Sequence, residues 1–315
     1  MRLLTNAKFS QEQLDSLEEV APGIEVVREL DPAKAREKFR DAEIFCGFEL
    51  PGPLEEAANL KWIQLTSAGA EHLLKSGIAE SDVAVTTASG IHAPAIAEYC
   101  LFTMVTLARG LREILKESDA RQWRPRRTRV YYGEELKGKT VGILGLGAIG
   151  NRIATVARCF EMRVVALRRS ARQASDPEVF GPDRLMEMLP LCDFVVVTLP
   201  LTDETRGLLG EEQFRAMKPS AFLINVARGQ IVQEQAMVHA LREGWIAGAA
   251  VDVFAQEPLP PDSELWDVPN LLVTPHIAGA FSAYLDRVMD ILRENLRRFV
   301  AGESMINVLD KQRGY

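Results

Sequence analysis

The chain has 315 residues, of which 47% are hydrophobic, and both values are typical of a globular protein with about two domains. Its formal net charge of −7 argues against a general nucleic-acid-binding surface, which needs an excess of Lys and Arg. The longest apolar region, residues 93–108, contains Glu98 and is too short to cross a bilayer, and the N-terminal residues lack the apolar core of a signal peptide.

The four cysteines are Cys46, Cys100, Cys159 and Cys192, and no two of them form a CxxC pair. Each lies in or beside an apolar stretch, so we expect buried, reduced thiols rather than a metal site. Reduced thiols are typical of the cytoplasm. We therefore expect a cytoplasmic protein that binds small molecules and neither membranes nor nucleic acids.

The first 90 residues alternate between short apolar stretches and segments with helical periodicity. This alternation predicts a small parallel α/β domain. The predicted strands are residues 2–5, 24–27, 43–46, 62–65 and 83–87, and the predicted helices are residues 11–19, 33–40 and 54–58.

A short loop, Ser67-Ala68-Gly69-Ala70, follows the fourth of these strands. Its glycine allows the backbone to present N–H groups to an anion. On local sequence alone, an ordinary strand-to-helix turn is an equally good interpretation.

Residues 93–115 are mostly apolar and predict one long helix, with Pro94 in its first turn. Such a helix belongs in a core or a subunit interface. The Arg-rich segment that follows, residues 121–132, is either a solvated basic loop or an arm that contacts a partner subunit or an anionic ligand.

The most informative stretch is residues 139–150. An apolar strand at 141–144 is followed by a glycine turn and then by a helical segment at 151–160, which is the context of a dinucleotide-binding fingerprint. The turn residues predicted to bind the cofactor are Gly145, Gly147, Ala148, Ile149 and Gly150. The first glycine permits the tight turn, the second the approach of a pyrophosphate to the helix N-terminus, and the third close packing of helix on strand.

A second α/β alternation begins at this fingerprint and predicts a doubly wound parallel sheet of six strands. The predicted strands are residues 141–144, 163–167, 194–198, 221–225, 247–251 and 271–274. A final helix is predicted at 282–300, and the tail from residue 305 is expected to pack on the first domain.

Three charged or titratable side chains follow the last three strands. Arg228 follows the fourth, Glu257 the fifth and His276 the sixth, and ligands bind beyond the carboxyl ends of such strands. Arg binds a carboxylate through two hydrogen bonds, His carries protons near neutral pH, and Glu can orient the imidazole. Taken singly, each could be a surface ion pair, a turn residue or a loop histidine; their convergence behind the fingerprint favours catalysis.

The segments GLGAIG, NVARG, VDVFAQEPLP and TPHIAG, in this order, resemble the D-isomer-specific 2-hydroxyacid dehydrogenase family, and within it the glyoxylate and hydroxypyruvate reductases. The resemblance extends over essentially the whole chain, from SAGAEHL to INVLDKQRGY. It implies a catalytic set of Arg228, Glu257 and His276. It further implies that Ser67, Ala68, Gly69 and Ala70 bind the substrate carboxylate together with Arg228. The other cofactor contacts that it implies are Pro200, Thr205, Val226, Ala227, Asp252, which meets the nicotinamide carboxamide, and Gly279.

The resemblance also implies a discontinuous architecture of two Rossmann-like, doubly wound domains. Residues 1–96 and 282–315 would form a flavodoxin-like substrate-binding domain, and residues 97–281 an inserted NAD(P)-binding Rossmann domain, with the active site in the cleft between them. The long apolar helix and the arm after it would form the contact of a homodimer.

The implied reaction is NAD(P)H-dependent reduction of a 2-oxoacid to a D-2-hydroxyacid, or its reverse. His276 would donate the proton to the carbonyl oxygen, while Arg228 holds the carboxylate. The alternative is a dinucleotide-sensing, corepressor-like binding protein of the same fold, and the compact length favours the enzyme. Candidates for an apolar pocket wall are Phe48, Leu50, Trp62, Tyr284 and His92, and they do not specify the side chain of the substrate. Of these, His92 is expected instead to cap the long apolar helix that begins at residue 93.

The end of the second strand departs from the NAD-type pattern, because it carries no Asp or Glu to bind the ribose hydroxyls. Arg168, Arg169 and Ser170 stand there instead. Guanidinium groups bind a 2′-phosphate, which a carboxylate would repel. We therefore expect NADP to be preferred over NAD, although NAD stays possible if both Arg side chains face solvent.

Overall fold

The computed structural model describes residues 1–70, 72–123, 133–169 and 177–312. The chain divides into two compact units, one of Met1–His92 with Phe281–Tyr315 and one of Ala93–Ala280. Each is built on a parallel β-sheet with helices, which confirms the predicted fold class. No helix in the described ranges is both long and apolar enough to cross a membrane.

The strands, in chain order, are β1 (Arg2–Thr5), β2 (Glu25–Arg28), β3 (Ile44–Gly47), β4 (Trp62–Leu65), β5 (Ala84–Thr86), β6 (Thr140–Leu144), β7 (Arg163–Leu167), β8 (Glu178–Phe180), β9 (Phe194–Val197), β10 (Phe222–Asn225), β11 (Gly248–Val251) and β12 (Leu271–Val273). The helices are α1 (Gln11–Val20), α2 (Pro32–Phe39), α3 (Ala93–Arg109), α4 (Leu111–Asp119), α5 (Ala148–Cys159), α6 (Leu185–Met188), α7 (Glu211–Ala216), α8 (Glu234–Arg242) and α9 (Tyr284–Ala301).

The first unit has a five-stranded sheet in the order β2-β1-β3-β4-β5. Helix α9 returns the C-terminal part of the chain to this unit, where its apolar face packs in the same core as residues of β1, β3 and β4. A buried polar group fixes it there: Asn295 of α9 donates to Gln64 Oε1 of β4 at 3.0 Å and accepts the N–H of Ile306 at 2.7 Å. The predicted packing of the tail on this unit is confirmed for its described part, because Leu309 is buried and donates its N–H to the carbonyl of Val85 at 2.8 Å.

The second unit has a seven-stranded sheet in the order β12-β11-β10-β9-β6-β7-β8. Alternating residues of each strand enter opposite cores, as in β9, where Val195 packs with α6, α7 and α8 and Val196 packs with α3 and α5. The chain runs outward from β6 through β7 to β8, then crosses back to β9. The strand order therefore reverses at the adjacent strands β6 and β9, and such a sheet binds its ligand at that point, outside the carboxyl ends of the strands.

Several expectations about individual elements were wrong. The sheet of the second unit has a seventh strand, β8, whose three residues were too few to stand out as a pattern. The long apolar helix ends at Arg109, because Gly110 adopts a left-handed backbone conformation (φ 58°) before α4 begins. Residues 54–58, expected as a helix, contain only a 3-10 turn, Leu54–Glu56. Most other bounds agree to within two residues.

The cysteines required one further correction. All four are free thiols, and Cys46, Cys100 and Cys192 are buried as expected. Cys159 is exposed, because it is the last residue of α5 and faces away from the core. Most of the predicted Arg-rich arm, residues 124–132, lies outside the described residues, as does Ser170.

Candidate active site

The three strands that precede the candidate catalytic residues lie side by side. In the parallel register, Asn225 of β10 pairs with Val251 of β11, and Val251 pairs with Val273 of β12. The segments that follow these strands therefore leave the sheet at the same edge. The structure thus brings the loops of Arg228, Glu257 and His276 together.

His276 and Glu257 form a direct pair at this edge. His276 Nδ1 lies 2.7 Å from Glu257 Oε2, and the second carboxylate oxygen of Glu257 accepts the N–H of Phe254 at 2.9 Å. The carboxylate thus accepts the Nδ1 proton, and Nε2 is the ring nitrogen left to exchange a proton with a reactant. The side chain of His276 is 53% exposed, so a small molecule can reach it.

The loop that carries His276 is held by Asp252, which is 1% exposed. Its Oδ1 accepts the N–H of Ile277 at 2.9 Å and the hydroxyl of Thr274 at 2.6 Å, and its Oδ2 accepts the N–H of Ala278 at 2.8 Å. Its main-chain carbonyl accepts the N–H of His276 at 2.8 Å. Asp252 therefore fixes the backbone on both sides of the histidine. This bracing role was missed from the sequence; contact of Asp252 with the nicotinamide stays a prediction.

The turn that carries Arg228 is braced by Asn225, which sequence reasoning did not single out. Asn225 Oδ1 accepts the N–H of Ala227 at 3.1 Å, and its amide donates to the carbonyl of Arg228 at 3.1 Å. Arg228 is half-buried and donates to the carbonyl of Ala227 at 2.8 Å. Val226 and Ala227 are buried in this turn.

Gly229 brings the Arg228 turn against the loop of Glu257. A Cβ at this position would lie 1.9 Å from the carbonyl carbon of Phe254, a distance that no side chain can occupy. Gln230 Nε2 also donates to the carbonyl of Ala255 at 3.0 Å. The two catalytic loops therefore contact each other through their backbones, and glycine is the residue that permits it.

The glycine turn after β6 has the geometry of a pyrophosphate site. Gly145 is left-handed (φ 108°), and its carbonyl accepts the hydroxyl of Thr198 at 2.6 Å. A Cβ on Gly150 would lie 2.1 Å from the carbonyl oxygen of Gly145, so packing alone requires glycine there. A Cβ on Gly147 would meet no described atom within 4 Å. The chain therefore leaves open space at the N-terminus of α5, which has no side-chain cap, at Ala148 and Ile149, where the cofactor pyrophosphate is predicted to bind.

The loop after β9 borders the same crevice. Thr205 Oγ1 donates to the carbonyl of Pro200 at 2.7 Å and accepts the N–H of Thr202 at 2.8 Å, which closes the loop on itself. Thr205 is thus a bracing residue in this structure, and any direct contact with a cofactor stays a prediction. Gly279, the last of the predicted cofactor contacts, directly follows the loop that Asp252 holds.

Arg168 and Arg169 stand at the end of β7, and both are exposed. Arg169 Nη2 lies 3.6 Å from Glu204 Oε2 of the loop after β9, a carboxylate that the sequence did not point to. A hydrogen bond from Thr202, and to a smaller extent the charge of Arg169, holds the pKa of Glu204 below its usual value. Arg169 is thus partly neutralised, whereas Arg168 has no carboxylate partner among the described residues.

The predicted carboxylate-binding loop lies in the first unit, directly after β4. Ser67 Oγ donates to the carbonyl of Gly69 at 2.7 Å, and Ala70 is buried. Among the candidates for a pocket wall, Phe48 is 52% exposed and stacks on His72 with ring centroids 4.4 Å apart. Trp62 is fully buried and cannot line a pocket, so that expectation was wrong.

Two other candidates for the pocket wall, His92 and Tyr284, contact each other in the first unit. The ring centroid of His92 lies 5.4 Å from that of Tyr284 and 5.9 Å from that of Phe281. His92 therefore packs in an aromatic group immediately before α3. Leu50, the remaining candidate, is half-buried in the same unit.

Comparison with known proteins gives a consistent result. Residues 101–278 match the profile of the D-isomer specific 2-hydroxyacid dehydrogenase, NAD binding domain. The chain is 37% identical over 264 residues to a glyoxylate reductase of Thermofilum pendens, and the aligned region covers 82% of this chain and 77% of that protein.

Two solved structures are similar over nearly their whole length. A D-isomer specific 2-hydroxyacid dehydrogenase family protein from Aeromonas salmonicida is 33% identical, with 98% of this chain and 99% of that chain covered and a TM-score of 0.86. An NADPH-dependent glyoxylate/hydroxypyruvate reductase from Sinorhizobium meliloti, in complex with NADP and sulfate, is 27% identical, with 100% and 99% covered and a TM-score of 0.84.

Proposed function

The chain belongs to the D-isomer-specific 2-hydroxyacid dehydrogenase family, and on this basis we propose that it reduces a short 2-oxoacid, of the glyoxylate or hydroxypyruvate type, to the D-2-hydroxyacid. The observation that carries the proposal is the 2.7 Å pair of His276 and Glu257 on a loop fixed by a buried Asp252. Such a pair is suited to deliver one proton to a carbonyl oxygen. Two of the relatives reported above are reductases, the glyoxylate reductase of Thermofilum pendens and the glyoxylate/hydroxypyruvate reductase of Sinorhizobium meliloti, so the corepressor-like alternative is not favoured.

Each residue of the site has a defined part in this reaction. Arg228 holds the substrate carboxylate through its planar guanidinium and stabilises the negative charge that develops on the carbonyl oxygen. His276 donates its Nε2 proton to that oxygen, while Glu257 keeps the ring oriented through Nδ1. A reduced nicotinamide dinucleotide, when bound, would supply the hydride to the carbonyl carbon. The open space at Gly147 and the N-terminus of α5 would hold its pyrophosphate.

We further propose that residues 67–70 bind the substrate carboxylate, that residues 1–96 and 282–315 form a substrate-binding part and residues 97–281 a cofactor-binding part, and that the protein is cytoplasmic.

The activity is tested by mixing the protein with reduced cofactor and a panel of 2-oxoacids that differ in side-chain size. We expect oxidation of the cofactor with glyoxylate and hydroxypyruvate, and a chiral separation should give the D-product from hydroxypyruvate. If no 2-oxoacid is reduced by a protein that binds the cofactor, as measured by fluorescence of the reduced nicotinamide, the proposal is wrong.

For the cofactor, we propose that NADPH is preferred over NADH by at least about tenfold in kcat/KM. A charged hydrogen bond contributes about 1.5–3 kcal/mol, or about 10- to 150-fold in affinity. Because Glu204 partly neutralises Arg169, Arg168 should carry most of the preference. Arg168→Ala should therefore lower kcat/KM for NADPH and leave that for NADH unchanged, while Arg169→Ala has a smaller effect. Equal efficiency with the two cofactors in the unmutated protein would contradict this proposal.

We also propose a homodimer that uses α3 and α4. These helices expose large apolar side chains, including Phe102 at 60% and Leu115 at 54% exposure. Exposed apolar groups of this size on neighbouring helices are typical of subunit contacts. Light scattering at micromolar concentration should give twice the chain mass of 35.0 kDa, and a single species of the chain mass would refute the dimer.

A further inference from the structure

Tyr99 of α3 has no part in the mechanism above, yet its hydroxyl reaches the loop of the proton donor. Its oxygen lies 2.7 Å from Thr274 Oγ1, and Thr274 Oγ1 lies 2.6 Å from Asp252 Oδ1. The single hydroxyl proton of Thr274 goes to the carboxylate, which has none to give. Tyr99 is therefore the donor to Thr274. The three side chains form one directed chain, from Tyr99 through Thr274 to Asp252.

This series of hydrogen bonds ends at Asp252, the residue that fixes the backbone around His276. His276 has a positive φ of 54°, which a residue with a Cβ rarely adopts and which persists only when its surroundings enforce it. The enforcing contacts come from Asp252, whose carbonyl binds the N–H of His276 and whose carboxylate binds the N–H groups of the next two residues. A shift of the Asp252 carboxylate would therefore move the imidazole.

The hydroxyl of Tyr99 is well suited to hold that carboxylate through Thr274. Burial raises the pKa of the Tyr99 hydroxyl, against the smaller lowering effect of its hydrogen bond with Thr274, and the negative charge of Asp252 raises it further. Tyr99 sits on α3, which packs on the sheet through buried Ile96, Cys100 and Met104. Tyr99, which donates the first of these hydrogen bonds, is thus held on a rigid helix.

We propose that Tyr99 is a positioning residue for the proton donor, which acts on His276 through Thr274 and Asp252 without touching the reactants. The inference rests on the proposed function, since it gives these hydrogen-bonded side chains a role in proton transfer from His276. It connects helix α3, which is distant from β12 in sequence, to the proton transfer that takes place beyond the end of β12.

The test compares four variants at saturating cofactor and 2-oxoacid. Tyr99→Phe should lower kcat by about threefold to tenfold, the range expected for one hydrogen bond. Thr274→Val, which removes two hydrogen bonds, should lower it further, whereas Thr274→Ser keeps the hydroxyl and should retain near-normal kcat. The matched control is Thr106→Val on the same helix, because the buried hydroxyl of Thr106 has no hydrogen-bond partner among the described residues.

Two further measurements separate positioning from loss of folded protein. The solvent deuterium isotope effect on kcat should rise in Tyr99→Phe, because proton donation becomes slower, while the Kd for NADPH and the melting temperature stay unchanged. A smaller folded fraction would lower the rate without altering the isotope effect. An unchanged kcat and isotope effect in Tyr99→Phe would overturn the proposal.

One measurement is independent of turnover, so the failure of the proposed function and of this inference can be told apart. Backbone amide hydrogen exchange of Ile277 and Ala278 should be faster in Tyr99→Phe than in the unmutated protein and in Thr106→Val. If the unmutated protein reduces no 2-oxoacid, the proposed function fails and the exchange rates alone decide whether Tyr99 orders the loop. Unchanged exchange would show that it does not.

Discussion

Gly229→Ala is the substitution for which the structure gives the most direct expectation. The Cβ of the new residue would lie 1.9 Å from the carbonyl carbon of Phe254 and 2.3 Å from the backbone nitrogen of Ala255. Both are backbone atoms, so a change of side-chain rotamer cannot relieve the clash. Ordinary contact begins at 3.4 Å, and the two loops must therefore separate by about 1.5 Å, the difference between 3.4 Å and 1.9 Å.

The separation has two consequences of different size. Overpacking of this kind costs about 1–3 kcal/mol of folding free energy. In a domain as long as the unit Ala93–Ala280, each kcal/mol of lost folding free energy lowers Tm by about 2–4 °C. The larger effect is on catalysis, because the clash moves the turn of Arg228 away from the loop of Glu257, and a displacement of about 1 Å can lower the rate about 10²-fold. We expect a folded protein with a kcat reduced by about that factor.

The assay needs a second glycine variant as a contrast. Gly147→Ala places its methyl group where no described atom lies within 4 Å, and the backbone there (φ −87°, ψ −158°) suits any residue. This variant should melt like the unmutated protein but bind NADPH at least about tenfold more weakly, since the methyl group occupies the space of the pyrophosphate. Gly229→Ala should show the opposite pattern, with normal NADPH binding and low kcat.

One result for each glycine variant would contradict these expectations. If Gly229→Ala keeps both its melting temperature and its kcat, the close approach of the two catalytic loops is not a feature of the protein in solution. If Gly147→Ala binds NADPH normally, the open space at that glycine does not hold the pyrophosphate.

Three further substitutions test other parts of the site and fold. His276→Ala should lower kcat by about 10²–10⁴-fold with the Kd for NADPH nearly intact, and near-normal turnover would eliminate His276 as the acid. Arg228→Lys keeps the charge but not the planar fork, so activity at saturating substrate should stay low; recovery would exclude bidentate binding. Asn295→Ala removes three hydrogen bonds that the buried Asn295 side chain makes with Gln64 and Ile306, and should lower the free energy of urea unfolding by about 2–4 kcal/mol; a loss below the error of the measurement would contradict that role.

The sequence predicted well those features that a short stretch of chain determines by itself. The glycine turn at 145–150 was found because strand, turn and helix are adjacent in sequence, and the structure gives Gly145 a left-handed backbone conformation and leaves no room for a side chain at Gly150. Strands such as Trp62–Leu65 and Arg163–Leu167 were placed correctly because short, mostly apolar runs are typical of buried parallel strands. The convergence of three loops followed from the rule that parallel strands end at one edge.

Features that depend on distant parts of the chain were missed. Tyr99 and Thr274 are separated by 175 positions, and neither has a pattern that points to the other. Glu204 looked like a surface carboxylate until the structure placed it beside Arg169. The end of the long helix was missed for a local reason: the apolar periodicity continues through Gly110, and only its left-handed backbone ends the helix.

The two halves of the proposed chemistry are braced separately. The crevice of the cofactor is held by Thr198, which joins the ends of β6 and β9, and by the loop that Thr205 closes. The acid loop is held by Asp252, which joins the ends of β11 and β12. Since no described side chain takes part in both sets of hydrogen bonds, damage to the acid loop need not spread to the pyrophosphate part of the cofactor crevice. That separation is the physical reason why loss of turnover without loss of NADPH binding is the expected result for substitutions around His276.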